Sequence, residues 1–331
     1  MEKPRISVIG VGHLGSIHAR LWKNHDNCTL AGLYDVDREK SSAIAAELDC
    51  AAFISLDEAI VLSDAITIAV PTSQHYEIVE KSLLARKHCF IEKPITSTYA
   101  EASLLIEKAA EAGVIVQVGH VERFNPAIAA LRHYEIKPLF IEAHRLSQYK
   151  PRATDVSVIH DLMIHDIDIV LWLVRSPVES IDANGVAVIT ETPDIANARI
   201  RFANGAVANL TASRISANPM RKMRFFQRDA YISIDFSNQS LEVFRLQDES
   251  LPMPDFAQPA MMLGSIETGT MNKRIIFERP QVESVNAIEE EQRSFLDSII
   301  SGKPAAVGAS EAAEALKIAE TISQKLSSVK Y

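Results

Sequence analysis

The stretch HDLMIHDID, residues 160–168, places two histidines and three aspartates among apolar residues. If the stretch is helical, with about 100° between successive side chains, Asp161, His165 and Asp168 share one narrow polar face. Two further polar residues lie off that face: His160 and Asp166. An aspartate and a histidine four positions apart could bind a metal ion, form a structural pair or exchange a proton with a substrate. Asp166, set among apolar neighbours, has no evident role in any of these.

Proton transfer is the interpretation that the sequence favours for this face. A metal ion would need a third strong ligand, and neither a cysteine cluster nor an H-E-x-x-H motif accompanies Asp161 and His165, so we predict no metal site. A structural histidine–aspartate pair stays open as an alternative. General acid/base catalysis would assign proton exchange to His165, with Asp161 orienting the imidazole and stabilising its cation.

The stretch GVGHLG lies where a first apolar strand, RISVIG, turns into a helix. Gly10, Gly12 and Gly15 match G-x-G-x-x-G, a pattern in which glycines let the backbone approach a pyrophosphate at the helix N-terminus. Asp35 ends the second strand, where its carboxylate can accept hydrogen bonds from the adenine ribose and would repel a 2'-phosphate. We therefore expect a dinucleotide, NAD rather than NADP despite the nearby Arg38. Hydride transfer from a carbinol to a nicotinamide needs a base, which favours the acid/base interpretation of His165.

Two loops follow later strands at the edge of the predicted sheet where the nicotinamide half would lie. The loop AVPTSQHY and the stretch FIEKPI each follow an apolar strand. Pro71 could simply end its strand, with Thr72 or Ser73 capping the next helix. Lys93, between a buried strand and Pro94, could be an exposed loop residue or a functional group. The full set of expected cofactor contacts is Gly10, Gly12, His13, Leu14, Gly15, Asp35, Pro71, Thr72, His75, Glu92 and Lys93.

The elements that must position these residues change character near residue 120. Before it, continuously apolar strands alternate with helices of ten or more residues, which predicts an α/β Rossmann domain with a doubly wound parallel sheet over 1–122. After it, strands follow one another with turn signals such as FSNQS, which predicts an α+β domain over 123–331 with an open, mostly antiparallel sheet. The last two helices could pack back on the first domain. Residues 248–280, rich in Pro and Met, show no regular periodicity and suggest a flap, an oligomer contact or partial disorder.

Composition excludes several classes of function. The length of 331 residues suggests two domains, or one large domain with an appendage. The fractions of hydrophobic (47%) and charged (23%) residues are ordinary for a soluble globular protein. A net charge of -9 without a basic run argues against nucleic-acid binding. The three scattered cysteines fit a reducing compartment, and no apolar run reaches the length of a membrane helix. We therefore expect a cytoplasmic protein without a membrane or nucleic-acid partner.

Five stretches together resemble the Gfo/Idh/MocA oxidoreductases: GVGHLGSIHA, AVPTSQHY, EKPI, VERFNP and HDLMIHDIDIVLWL. The resemblance covers nearly the whole chain. It implies a Rossmann domain, a C-terminal domain whose open sheet forms a homodimer or homotetramer, and oxidation of a sugar or cyclitol hydroxyl with NAD(P). By position, Lys93 matches the family's active-site lysine, while Asp161 and His165 match its acid/base pair. The bond between Lys93 and Pro94 is often cis in this family.

The resemblance also suggests a substrate. The stretches VSVIHDLMIHDIDIVLWL and LTASRISANPMRKMRFFQ look most like the branch acting on UDP-N-acetylglucosamine or related nucleotide sugars at the 3-hydroxyl. The substrate contacts that this implies are Arg123, Asn125, Tyr149, Arg152 and Arg214, since arginines suit a diphosphate. The alternatives are a cyclitol or free-sugar dehydrogenase and a non-catalytic NAD-binding regulator.

Overall fold

A computed structural model describes residues 3–149, 156–252, 260–268 and 271–327. The chain divides into two compact units. The first unit comprises residues 1–121 and 286–317, and the second comprises residues 122–285 and 318–331. No described helix is long and apolar enough to cross a membrane.

The helices have the following bounds: α1 His13–Lys23, α2 Arg38–Glu47, α3 Leu56–Val61, α4 His75–Leu84, α5 Tyr99–Ala112, α6 Pro126–Ala129, α7 Ile164–Val174, α8 Ala287–Ser301 and α9 Ala309–Ser327. Short 3-10 turns occupy Thr72–Gln74, Val121–Phe124 and Ala130–His133. A π-helical turn, Ile159–Met163, leads directly into α7.

Six parallel strands form the sheet of the first unit: β1 Arg5–Ile9, β2 Thr29–Tyr34, β3 Ala51–Ala52, β4 Ala65–Ile68, β5 His88–Glu92 and β6 Val116–Gly119. Their order is β3-β2-β1-β4-β5-β6. Two hydrophobic clusters pack around the sheet, and the four residues of β4 are all buried. This arrangement confirms the predicted doubly wound parallel sheet, because strands covered on both faces must be apolar at every position.

The strand order reverses direction between β1 and β4, since the chain builds outward from β1 on one side and from β4 on the other. Ligands of doubly wound sheets bind at the carboxyl ends of the strands beside such a switch point. The glycine loop follows β1, and the loops of Pro71 and Lys93 follow β4 and β5. The fold thus places these three segments at one edge of one sheet.

Nine strands form the sheet of the second unit: β7 Phe140–Leu146, β8 Val178–Val186, β9 Ile195–Phe202, β10 Val207–Ser213, β11 Met220–Phe226, β12 Ala230–Asp235, β13 Ser240–Asp248, β14 Ala260–Thr268 and β15 Met271–Glu278. Their order is β14-β15-β13-β12-β11-β7-β10-β9-β8, and all neighbours are antiparallel except β7 and β10. This sheet confirms the predicted, mostly antiparallel architecture. Helix α6 contacts β12 and β13, and helix α7 contacts β7 and β10. Strand β7 alternates strictly between buried and partly exposed residues.

The expectation of a segment without regular structure at 248–280 was wrong for most of its described part. Strand β13 continues to Asp248, while β14 and β15 form an antiparallel pair at the edge of the sheet. The register shifts between Met262 and Gly264, and Gly264 has φ 155°. A bulge of this kind interrupts the alternation of inward and outward residues, which hides a strand from a search for a period of two. Residues 253–259 and 269–270 lie outside the described residues.

Candidate active site

Two of the three glycines in the loop after β1 are required by close contacts of their backbone. Gly10 has φ 84°, and a Cβ added to it would lie 2.7 Å from the Ala69 carbonyl oxygen. A Cβ on Gly15 would lie 2.9 Å from the Gly10 carbonyl carbon and would overlap its oxygen. Gly12 differs, because an added Cβ there would have no atom within 4 Å. The space in front of Gly12 is therefore open to a ligand that approaches the backbone closely.

The N-terminus of α1 fits an anionic group. Gly12 is the N-cap residue and supplies no side-chain capping bond, and the first turn carries no acidic residue. The next two residues, His13 and Leu14, begin the helix and are exposed. Backbone N–H groups of a first helical turn have no partners within the helix and attract phosphate oxygens. The loop thus has the donors that a pyrophosphate needs.

Asp35 directly follows β2 and is held against the glycine loop. Its Oδ2 accepts the Val11 N–H at 2.7 Å, and its Oδ1 accepts the Asp37 N–H at 3.0 Å. Arg38, which left room for NADP, donates to the Ile54 carbonyl at 2.9 Å. The carboxylate is therefore fixed beside the loop, and the nearby guanidinium is bound elsewhere. The Asp35 carboxylate fits NAD, because it can accept hydrogen bonds from the hydroxyl groups of the adenine ribose.

The loop after β4 is joined to the loop after β5 by His75. The imidazole is 1% exposed, with Nδ1 2.9 Å from the Pro94 carbonyl and Nε2 3.0 Å from the Val70 carbonyl. Burial lowers the pKa of His75, against the opposing effect of these carbonyls. The side chain therefore links two loops rather than presenting a polar atom to a ligand. The sequence expectation of a capping bond from Thr72 or Ser73 was wrong, because a 3-10 turn precedes α4 and its N-cap residue makes no side-chain capping bond.

Glu92 and Lys93 end β5 at the same edge. Glu92 Oε1 lies 2.7 Å from His18 Nε2, and its Oε2 accepts the Lys93 N–H at 3.3 Å. The peptide bond between Lys93 and Pro94 is cis, as the resemblance led us to expect. Lys93 is partly buried. Its backbone is thus held on one side by Glu92 and on the other, through Pro94, by His75.

In the second unit, the segment 158–174 is not one continuous α-helix. Asp161 lies in the π-helical turn, while His165 is the second residue of α7. The rotation of about 100° per residue, from which we predicted that Asp161 and His165 share one helix face, therefore applies only from Ile164 onward. Both side chains are partly exposed. π-helical turns are frequent at functional sites.

Asp168, the third member of the predicted polar face, belongs to a buried ion pair with Arg123. Arg123 donates to both carboxylate oxygens, at 2.6 and 2.8 Å, and its guanidinium lies 5.2 Å from the centre of the Trp172 ring. Its side chain is 7% exposed. The bidentate pair uses the Nε and Nη2 donors of Arg123 and leaves Nη1, so its contact with the substrate stays a prediction.

The other residues suggested for the substrate lie in different surroundings. Asn125 caps α6 and is 6% exposed, while Arg214 is 8% exposed with Nε 3.5 Å from Asp194. Of the four suggested residues that the structure describes, Tyr149 is the most exposed, at 38%. Arg152 lies outside the described residues. The roles of Asn125, Tyr149, Arg152 and Arg214 as substrate contacts stay predictions.

Asp166, which the sequence left unexplained, belongs to a buried charge cluster. Arg145 on β7 donates to both oxygens of Asp166, at 3.0 and 2.8 Å, and to Glu122 Oε1 at 2.7 Å. Burial opposes the Arg145 charge, yet the two carboxylates outweigh it and raise the pKa of Arg145. Burial also raises the pKa of Asp166. The cluster fastens α7, one residue after His165, to the sheet.

The sequence did contain a signal for this cluster. In β7, Arg145 falls in register with the inward-facing Ile141 and Ala143. A charge at a core position requires a buried partner, and Asp166 was the acidic residue without a role.

Comparisons with known proteins agree with this geometry. The family model described as "Oxidoreductase family, NAD-binding Rossmann fold" matches residues 4–120, and the Gfo/Idh/MocA C-terminal domain matches residues 126–241. UDP-N-acetylglucosamine 3-dehydrogenase of Acidithiobacillus ferrooxidans is 42% identical over 75% of this chain and 79% of that protein. The solved structure of that organism's enzyme, GnnA, superposes with a TM-score of 0.87 and 35% identity over 98% of both chains. The scyllo-inositol 2-dehydrogenase (NAD(+)) of Bacillus subtilis is 32% identical over 64% of this chain and 68% of its own.

Proposed function

The chain belongs to the Gfo/Idh/MocA family of NAD-binding oxidoreductases, and we propose that it oxidises a secondary hydroxyl of a nucleotide-activated amino sugar. UDP-N-acetylglucosamine, oxidised at the 3-position with NAD, is the substrate that we favour. The observation that carries this proposal is the 42% identity to a UDP-N-acetylglucosamine 3-dehydrogenase over 79% of that protein. The 35% identity of the superposed structure over 98% of both chains supports it.

In this proposal three side chains act on the substrate hydroxyl. Bound NAD supplies the hydride acceptor. His165 takes the hydroxyl proton, and Asp161 stabilises the imidazolium that results. Lys93 donates a hydrogen bond to the reacting oxygen and stabilises the negative charge that develops on it. The fixed backbone on both sides of Lys93, through Glu92 and His75, supports its role because a preorganised donor needs no rearrangement during the reaction.

A direct assay tests the proposal. Absorbance at the reduced-nicotinamide band is followed with NAD or NADP and a panel of UDP-sugars, free sugars and inositols. We expect reduction of NAD with UDP-N-acetylglucosamine, and slower or no reduction with the corresponding free sugar. Absence of turnover with every UDP-sugar would contradict the proposal.

A cyclitol dehydrogenase is the second candidate, favoured by the 32% identity to scyllo-inositol 2-dehydrogenase. Turnover of inositols without turnover of UDP-sugars would establish it. A non-catalytic NAD-binding regulator would instead bind NAD and turn over none of the panel. Proton transfer by Asp161 and His165 has no purpose in such a regulator, which is why we place it last.

We also propose that the protein forms a homo-oligomer through one face of the nine-stranded sheet. One aromatic side chain from each of five neighbouring strands lies opposite the next: Phe140, Phe226, Tyr231, Phe244 and Phe277. Phe226 is 41% exposed, and Met261 on the edge strand, 60% exposed, extends the row. A contiguous row of exposed apolar side chains supports an interface with another protein surface. Light scattering on wild type and Phe226→Glu tests the proposal: the variant should dissociate, and an unchanged mass would contradict it.

A cytoplasmic location is the remaining part of the proposal. The three cysteines are free, and burial raises the pKa of Cys28 and Cys89 to about 12. Unpaired, unreactive thiols of this kind support a reducing compartment.

A further inference from the structure

A chain of hydrogen bonds in the first unit runs from helix α8 to the backbone of Lys93. His18 on α1 is completely buried, although it is polar. Its Nε2 lies 2.7 Å from Glu92 Oε1, and its Nδ1 lies 3.0 Å from the side-chain Nε2 of Gln292 on α8. Gln292 is also completely buried. The two polar side chains therefore hold each other in the core beneath the end of β5.

The geometry fixes which nitrogen of His18 carries the proton. The amide Nε2 of Gln292 also donates to the main-chain carbonyl of His18, at 3.2 Å. Because a carbonyl only accepts, this contact sets the orientation of the amide, and the second amide hydrogen points at His18 Nδ1. Nδ1 must then accept, so the proton resides on Nε2 and is donated to Glu92. The Gln292 amide and the Glu92 carboxylate thus favour the same arrangement, with the proton on Nε2 and Nδ1 as the acceptor.

Glu92 transmits this constraint to the next residue. Its Oε1 accepts a hydrogen bond from His18 Nε2–H, and its Oε2 accepts one from the Lys93 N–H. A Cβ on Gly119 would lie 3.1 Å from Glu92 Oε2, so the carboxylate occupies a slot that the missing side chain leaves. The two hydrogen bonds and the space beside Gly119 together hold the carboxylate in one orientation.

We propose that Gln292 and His18 are positioning residues for Lys93. Gln292 holds the tautomer of His18, His18 orients Glu92, and Glu92 fixes the peptide plane from which the Lys93 side chain extends. The inference rests on the proposed function, in which Lys93 contacts the reacting oxygen. Gln292 lies outside both stretches matched by the family models, 4–120 and 126–241.

A purely structural role for Gln292, joining α8 to the sheet, makes different predictions. Gln117 on β6 is the matched control, because it is equally buried and its amide donates to the Glu291 carbonyl at 2.8 Å. It joins the same helix to the same sheet without contacting His18 in any bond that the structure describes. Gln117→Leu should therefore reproduce a loss of stability and leave the orientation of Lys93 unchanged.

Two readouts on the NAD-free protein test the chain without relying on turnover. The tautomer of His18 is measured by nitrogen NMR on histidine-labelled protein, with His18→Gln identifying the signal. Exchange of the Lys93 amide hydrogen is measured by NMR or mass spectrometry. For Gln292→Leu we expect part of the His18 population to gain a proton on Nδ1, because no donor then faces that nitrogen. We also expect Lys93 exchange about tenfold faster, as for loss of one hydrogen bond to a charged group. Gln292→Glu, whose carboxylate only accepts, should move the proton to Nδ1 or protonate both nitrogens.

Turnover is the third readout. For Gln292→Leu we expect kcat to fall about tenfold with the KM for sugar nearly unchanged, while Gln117→Leu keeps the wild-type kcat. An unchanged tautomer or Lys93 exchange rate in both Gln292 variants would overturn the inference. Equal losses of kcat in Gln292→Leu and Gln117→Leu would also overturn it. If wild type turns over no sugar, the proposed function fails, while the tautomer and the exchange rate still decide the positioning chain.

Discussion

Alanine substitutions at two glycines in the loop after β1 should have different effects, one on stability and the other on NAD binding. Gly15→Ala places a Cβ 2.9 Å from the Gly10 carbonyl carbon and closer still to its oxygen. Since ordinary carbon contacts begin at about 3.5 Å and the added Cβ overlaps the carbonyl oxygen, the loop must shift by more than about 1 Å. Overpacking of this kind lowers the free energy of unfolding by about 1–3 kcal/mol, and the upper end applies here because the obstacle is backbone. Gly15→Ala should therefore destabilise the protein even without NAD.

Gly12→Ala should instead leave the stability nearly unchanged and weaken NAD binding. Gly12 has φ -60°, which L-residues adopt, and its added Cβ meets no atom within 4 Å. The free energy of unfolding should change by less than about 0.5 kcal/mol. The methyl group would nevertheless enter the space where a pyrophosphate approaches the backbone, so the Kd for NAD should rise about tenfold or more, equivalent to about 1.4 kcal/mol. Urea unfolding of the NAD-free protein and calorimetric titration with NAD measure the two effects. Wild-type affinity in Gly12→Ala, or wild-type stability in Gly15→Ala, would refute the reasoning.

Three further changes probe other parts of the structure. Arg145→Met leaves two buried carboxylates without their cationic partner and should lower the free energy of unfolding at pH 7 by about 3–5 kcal/mol. Because the pKa of Asp166 is already raised, urea unfolding at pH 5 should show a smaller loss. An equal loss at both pH values would count against the cluster. Since burial lowers the pKa of His75 in the folded protein, its contribution to stability is complete above about pH 6.5 and declines as the pH falls through the lower folded value. Thermal unfolding from pH 8 to 5 should therefore depend less on pH in His75→Gln than in wild type, and identical profiles would contradict this. Asp35→Ser should reduce the preference for NAD over NADP in binding titrations, and unchanged selectivity would argue against its ribose contact.

Local patterns were sufficient to predict the sheets and the glycine loop. The parallel sheet follows from strands such as β4, apolar at every position, because only a sheet covered on both faces has that pattern. The glycine loop was recognisable because Gly10 is required by contact with Ala69 after β4 and Gly15 by contact with Gly10, and such requirements fix both residue type and spacing.

Features that depend on partners distant in sequence could not be predicted. Arg145 and Asp166 pair across 21 positions, and His18 and Gln292 across 274. No local period reports such contacts. The π-helical turn around Asp161 was also missed, because an extra residue in one turn leaves the apolar pattern of the segment nearly unchanged. Burial of Arg123 against Asp168 likewise appears only once both elements are folded.

In the proposed mechanism, His165 accepts the proton of a sugar hydroxyl as NAD is reduced. The measurement that tests it most directly is kcat for NAD reduction with UDP-N-acetylglucosamine in wild type, His165→Ala and His160→Ala. His160 is the matched control, because it lies in the π-helical turn before α7, with Nδ1 2.9 Å from the Ser157 hydroxyl. We predict a fall of about 10²- to 10⁴-fold for His165→Ala, and a kcat within about threefold of wild type for His160→Ala. Near-wild-type turnover in His165→Ala would contradict the account.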